Sequence, residues 1–195
     1  MTLEPSKLTL PENPGTFGLT PEIYPVAAIA ALLWTYASPS DLYRALSSAG
    51  LNSLSGKPFT MAEIKRVIEE LRRHGLIDDD AENPKATDGK LVDSLRIPLY
   101  RHLLQANPGQ TLVRIIAATH RYEPGYSSFF WGLSKRASIA YFRAKYLSGA
   151  SYQEISPQLS SVSRTHDGPT LIYLALIDGF DGATFEFLDP SNRWL

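Results

Sequence analysis

The chain has 195 residues, 44% of them hydrophobic and 20% charged, with a formal net charge of −1. That balance fits a soluble globular protein, and the length buries a core without staples. There is no cysteine, which excludes a disulfide framework, a thiolate zinc site and a cysteine nucleophile; with no secretory leader, the reducing cytoplasm is the expected compartment.

Pro5, Pro11, Pro14, Gly15 and Gly18 mark residues 1–19 as an extended arm. It should order only where Leu3, Leu8, Leu10 or Phe17 finds a groove. Thr20-Pro21 supplies an N-cap and a proline for the first helical position. Ile23 to Tyr36 follows, apolar almost all round, and predicts a buried helix. Its apolar run, Val26 to Trp34, is nine residues long, against the roughly twenty of a bilayer span. Ser38-Pro39 opens a short second helix with Leu42, Tyr43 and Leu46 on one face, ending before Gly50. Asn52 to Pro58 reads as a loop.

FTMAEIKRVIEELRRHGLI, residues 59–77, is the most sharply bounded stretch. Thr60 and Glu63 form a capping box, and Phe59 with Ile64 a hydrophobic staple. Ile64, Val67, Ile68 and Leu71 make one apolar stripe. Gly75 is placed as the left-handed stop, with Leu76 folding back on the last turn. Leu76–Asp78 and Lys90–Val92 then predict two short strands around the polar tip DDAENPKATDG.

Helices follow from Ser94 on. They are expected over Leu95–Gln105, Thr111–Tyr122, Ser127–Leu147, Ser151–Val162 (with a Ser151/Glu154 capping box), Thr170–Asp178 and Ala183–Leu188. The fold class is therefore mostly α: a three-helix unit with a short β-hairpin, then an α-helical bundle or hairpin array. The expected organisation is an arm at 1–19, a first domain at 20–105 and an α-helical domain at 106–195. The terminal Trp194-Leu195 after a turn suggests an element cut short, so the second domain is expected to continue in a longer protein.

Helix, helix, capped helix and hairpin is the order of a winged helix-turn-helix domain. FTMAEIKRVIEELRRHGLIDDD resembles its third helix running into the first wing strand. KLVDSLRIPLYRHLL resembles the return strand and a trailing helix. The resemblance covers residues 20–105, under half the chain. It is similar in context to the N-terminal helical regions of bacterial signalling ATPases and Swi/Snf-type helicases. It implies two uses for the third helix: lying in a DNA major groove, or packing on a partner protein.

For DNA the candidate contacts are Lys65, Arg66, Arg72 and Arg73, because phosphates require cations. Glu63, Glu69 and Glu70 share that helix, and Glu69 is spaced to pair with Lys65 and Arg72. The wing is acidic, with Asp78, Asp79, Asp80, Glu82 and Asp88 against Lys85 and Lys90. Net charge is unevenly spread: −4 over 1–93, +7 over 94–166 and −4 over 167–195. In the basic segment Lys135, Arg136, Arg143 and Lys145 alternate with Tyr141, Phe142 and Tyr146, after Tyr122 to Trp131. Such interleaving suits base stacking and phosphate binding. Core filling by the aromatics and a wet face for the cations is the commoner arrangement. Alternatively, the acidic wing or tail lies over the basic helices and the charges pair internally.

No Walker loop, G-x-S-x-G, S-x-x-K or H-E-x-x-H occurs. The four histidines, at 74, 102, 120 and 166, are scattered. His74 suits the carbonyl end of its helix. His166-Asp167 reads as a turn before Gly168-Pro169, and Asp178, Asp181 and Asp189 as helix caps. No catalytic residue, metal or cofactor is therefore assigned. The expected function is a non-catalytic N-terminal interaction or regulatory module of a larger protein, including one that acts on nucleic acid. Its partner would be another protein or downstream domains of the same chain, with nucleic acid bound weakly and no membrane. The alternative is a winged-helix DNA-binding transcriptional regulator.

Overall fold

The computed structural model describes residues 7–10, 13–79, 88–119, 135–162, 168–176, 178–179 and 182–193. Among them the chain is mostly α-helical with one two-stranded sheet. The order is α1 (Tyr24–Leu33), α2 (Pro39–Ser48), α3 (Met61–Arg73), β1 (Ile77–Asp79), β2 (Gly89–Leu91), α4 (Asp93–Ala106), α5 (Gly109–Thr119), α6 (Lys135–Leu147), α7 (Tyr152–Val162), α8 (Gly168–Leu176) and α9 (Gly182–Phe185). No described helix is long and apolar enough to cross a membrane.

α3 forms as its punctuation demands. The Thr60 side chain accepts from the Glu63 amide at 3.2 Å, and Glu63 accepts in return from the Thr60 amide at 2.7 Å. At the other end Gly75 takes φ +68°. The Leu76 amide donates to the Leu71 carbonyl and the Gly75 amide to that of Arg72, both at 2.9 Å. That pair of bonds is a Schellman stop. Ile64, Val67, Ile68 and Leu71 are all buried, so the stripe turns the cations outward. Capping boxes also open α2, from Ser38 and Asp41, and α7, where Ser151 and Glu154 exchange bonds.

β1 and β2 pair antiparallel, Ile77 with Leu91 and Asp79 with Gly89. Gly89 also bridges Ala37, in the connection from α1 to α2. β2 thus lies between β1 and a one-residue third strand. The expected tip of the hairpin, residues 80–87, lies outside the described residues.

α1 is the inner helix, with nine of its ten residues buried. Its run of alanines lets α2, α4, α5, α6 and β2 approach it. α5 packs on α2 and α6, and α6 on α7 and α8. One apolar core joins the helices before and after Asn107. The N-terminal arm joins it too: Leu8 and Leu19 are buried, and Leu10 and Phe17 pack on the core from its edge.

Several boundaries differ from expectation. α1 ends at Leu33, not Tyr36, because Trp34 takes φ +64° and ψ −40°. The Thr35 amide then donates to the Leu33 carbonyl at 2.7 Å, a strained γ-turn. On α2, Tyr43 is exposed and Ala45 takes its place in the buried face with Leu42 and Leu46. α4 begins two residues early, at Asp93, and accommodates Pro98 inside the helix. α9 stops at Phe185, short of the expected Leu188, while α5 is described as far as Thr119 and its expected last turn lies outside the described residues. The N-terminal part of the long helix expected from Ser127 falls outside the described residues up to 134.

The core face of α3 can be tested by substitution. Leu71→Ala should cost about 2–5 kcal/mol, and Thr60→Ala about 1 kcal/mol through loss of the cap. Urea unfolding of the two variants should reproduce that ranking. Wild-type stability of Leu71→Ala would mean that the stripe is a binding face instead of a core.

Candidate functional site

The four α3 cations share the helix with its carboxylates, and two are taken up. Arg66 pairs with Glu22 from the segment before α1. Arg72 pairs with Glu69 at 2.6 Å, three residues away. Lys65 and Arg73 are exposed and meet no carboxylate among the described residues. The outward face of α3 therefore carries two open cations next to two ion pairs.

Of the second candidate set, Arg136, Arg143 and Lys145 are described, and they do not share one exposed face. α6 is buried on nearly every side: Tyr141, Phe142, Tyr146 and Leu147 are core. Arg143 is only 1% exposed, which corrects the expectation that it joins a polyanion-binding face. Arg136 reaches Asp88, next to the hairpin, at 3.2 Å, and lies 5.1 Å from the Tyr36 ring centroid. Lys145 is half-exposed. The Lys135 side chain, Tyr122 to Trp131 and the His166-Asp167 pair lie outside the described residues.

What the structure assembles instead is a charged cluster that joins α1, β2, α4, α6 and the turn after α8. Arg96 projects from α4 and is fully buried. It sits on the inward row of Leu99, Tyr100 and Leu103, so a cation interrupts an apolar stripe. The Arg96 guanidinium carbon lies 3.8 Å from the Trp34 ring centroid, and that of Arg143 lies 3.3 Å away. Cation–π attraction favours both contacts, but two like charges beside one ring need an anion.

Asp178 supplies the anion. Its carboxylate accepts from the Trp34 indole N–H at 3.1 Å, from Lys90 at 3.3 Å and from Arg96 at 3.2 Å. Arg96 also donates to the Trp34 carbonyl at 2.7 Å and to Asp93 at 2.6 Å. Arg143 donates to the carbonyls of Ala175 and Asp178, at 2.8 and 3.1 Å. Gly179 takes φ +66°, and a β-carbon there would lie 3.0 Å from the Trp34 ring. Burial would raise the Asp178 pKa, but the Arg96 and Lys90 charges and hydrogen bonds outweigh it and hold the carboxyl below its ordinary value. Burial pushes the neighbouring Tyr100 hydroxyl upward.

Asp178 is thus an ion-pair centre, not the helix cap expected for it. Asp189 does cap, accepting from the Ser191 amide at 2.8 Å. The hint in the sequence was a cation on an apolar row: Arg96 before Leu99, Tyr100 and Leu103, and Arg143 between Ile139 and Tyr146. The hydrogen bonds of the cluster go to oxygens of the chain itself, while the buried Arg96 Nε meets no hydrogen-bond partner among the described residues. Among the described residues no three metal-ligating side chains gather.

Arg96→Ala should cost about 3 kcal/mol or more, since it strips a partner from a largely buried pair. Chemical unfolding at neutral pH measures it. The folded Asp178 carboxyl binds its proton less tightly than the unfolded one. Its stabilisation is therefore present above the ordinary value of 3.8 and lost as pH falls through the lower folded value. Asp178→Asn should be less stable than wild type at pH 7, and the gap should close between about pH 5 and pH 2. A gap that stays constant over that range would remove Asp178 from the electrostatics.

Comparison with protein-family models, with curated sequences and with solved structures gave no match to this chain.

Proposed function

We propose that the chain is a non-catalytic interaction or regulatory module with a winged-helix-like N-terminal unit, working through protein contacts within a larger protein. The observation that carries this reading is the internal neutralisation of its cations. Arg66 faces Glu22, Arg72 faces Glu69, Arg136 faces Asp88, and Arg143 is buried against Trp34. A surface that reads nucleic acid keeps such groups open to phosphate. The winged-helix component is supported by the element order and by the placement of β2 between β1 and the Ala37 bridge. Asp78 on β1 is exposed, which suits a protein partner better than a phosphate backbone.

A DNA-binding regulator is the second reading, favoured by one observation: Lys65 and Arg73 project from the outward face of α3 with no carboxylate partner among the described residues. The two readings separate by salt and sequence dependence. An interaction module should bind heparin or single-stranded DNA weakly, without sequence preference, and lose it as salt screens the surface. A regulator should bind selectively, with affinity that survives higher salt. A mobility shift at low salt with wild type and with a Lys65/Arg66/Arg72/Arg73→Ala variant tests the helix directly. Equal binding by the two would take α3 out of any DNA contact, and selective binding lost in the variant would sink the protein-contact reading.

A further inference from the structure

The connection from α1 to α2 is held in a conformation that its own residues do not favour. Among the described residues Trp34 is the one non-glycine residue with positive φ, at +64°. No helix breaker follows it until Pro39, which restricts Ser38 before it. With Trp34 in the right-handed conformation, the Thr35 and Tyr36 amides would reach the Ala31 and Leu32 carbonyls and continue α1. Instead the chain turns back, and the Thr35 amide goes to the Leu33 carbonyl. Strain of this kind favours escape by about 5- to 150-fold.

The groups that hold Trp34 there also hold the hairpin. Asp178, in the turn after α8, accepts from the Trp34 indole at 3.1 Å and from Lys90 of β2 at 3.3 Å. Its side chain is 32% exposed, so this tie lies at the surface, whereas Arg96 is inside. Ala37, three residues after Trp34, donates to the Gly89 carbonyl at 3.1 Å and accepts from the Gly89 amide at 3.3 Å. A right-handed Trp34 would swing everything after it, and Ala37 could not keep both bonds to Gly89. Arg96 retains Asp93 in either arrangement.

We propose that Trp34 is a two-state hinge latched by Asp178, which couples the turn after α8 to the base of the hairpin. With Asp178 seated, α1 stops at Leu33 and β2 is pinned to Ala37. With Asp178 withdrawn, Trp34 relaxes, α1 runs on toward Tyr36 and the hairpin is released from the connection. The coupling is reciprocal. Displacing the turn after α8 frees the hairpin, and drawing the hairpin away from Ala37 loosens the hold of Asp178. A contact made on either element therefore acts on the other. The hinge goes beyond the protein-contact reading and stands without it: a selective DNA shift would remove that reading alone, and the measurements below would remove the hinge alone.

The test is NMR on the full chain with Asp178→Asn, which keeps the size of the side chain and removes its charge. The Trp34 and Thr35 Cα shifts should move to helical values. The Ala37 and Gly89 amides should exchange faster than in wild type, by a factor at least about tenfold larger than any acceleration at the Leu71 amide of α3. Equal acceleration at all three would mean a uniform loss of stability and would overturn the hinge. Unchanged Trp34 shifts in a folded variant would overturn it too. If Asp178→Asn does not fold, relaxation dispersion of wild type decides. Trp34, Ala37 and Gly89 should then share one microsecond-to-millisecond exchange rate, with a minor-state Trp34 Cα shift in the helical range. Flat profiles, or rates that differ among the three, would sink the idea.

Discussion

The indole of Trp34, flanked by the guanidinium groups of Arg96 and Arg143 and tied to Asp178, holds the helices in their arrangement. Each member comes from a different element: the end of α1, α4, α6 and the turn after α8. The positive φ at Trp34 is strained by about 1–3 kcal/mol for a non-glycine residue. It persists because the Trp34 carbonyl and ring N–H are both claimed by partners. The same strain ends α1 and turns the chain toward Ala37, which then bridges β2. One charged cluster thereby sets the length of the inner helix and the position of the hairpin.

That cluster is also where part of the basic middle segment is neutralised among the described residues. The basic middle segment meets the acidic flanks at Arg96 with Asp178 and Asp93, and at Arg136 with Asp88. Lys90 joins from β2. The more exposed of these pairs contribute little stability, about 0–1 kcal/mol each, and act on orientation. The buried Arg96 is different, because in a low-dielectric setting its position depends on the oxygens around it. Arg66, Arg72, Arg96, Arg136 and Arg143 thus serve the protein's own geometry, and this supports the contact role proposed above.

The arm extends the same logic to the helix ends. The carbonyls that end a helix have no partner within it. Here the Ala49 carbonyl takes the Leu8 amide, and Leu103 is served by Asn107, which in turn holds Thr9. Main chain from the extended segment thus completes the end of α2 and holds the side chain that completes the end of α4, and two leucines pack on the core beneath.

The legible parts of the sequence were those whose interactions close within about five residues. The box at Thr60 and Glu63, the Gly75 stop, the Ser38 and Ser151 starts and the buried stripe of α3 all depend on neighbours along one helix. They could be read without knowing what the helix touches. The filling of the core by Tyr141, Phe142 and Tyr146 followed from helical spacing in the same way. The hidden parts were decided by distant partners. Trp34 meets Asp178 from 144 residues away and Arg96 from 62, and those contacts end α1 three residues early. Arg143 reads as a surface cation on charge alone, and only the arrival of Trp34 and of the carbonyls of Ala175 and Asp178 at the end of α8 makes burial tolerable. Asp178 looks like a cap because an aspartate near glycine usually is one. Its role as the shared anion exists only once α1, β2 and α4 bring three donors to one carboxylate. Local hydrogen bonds are written in consecutive residues, whereas compensation of a buried charge depends on which residues folding brings together.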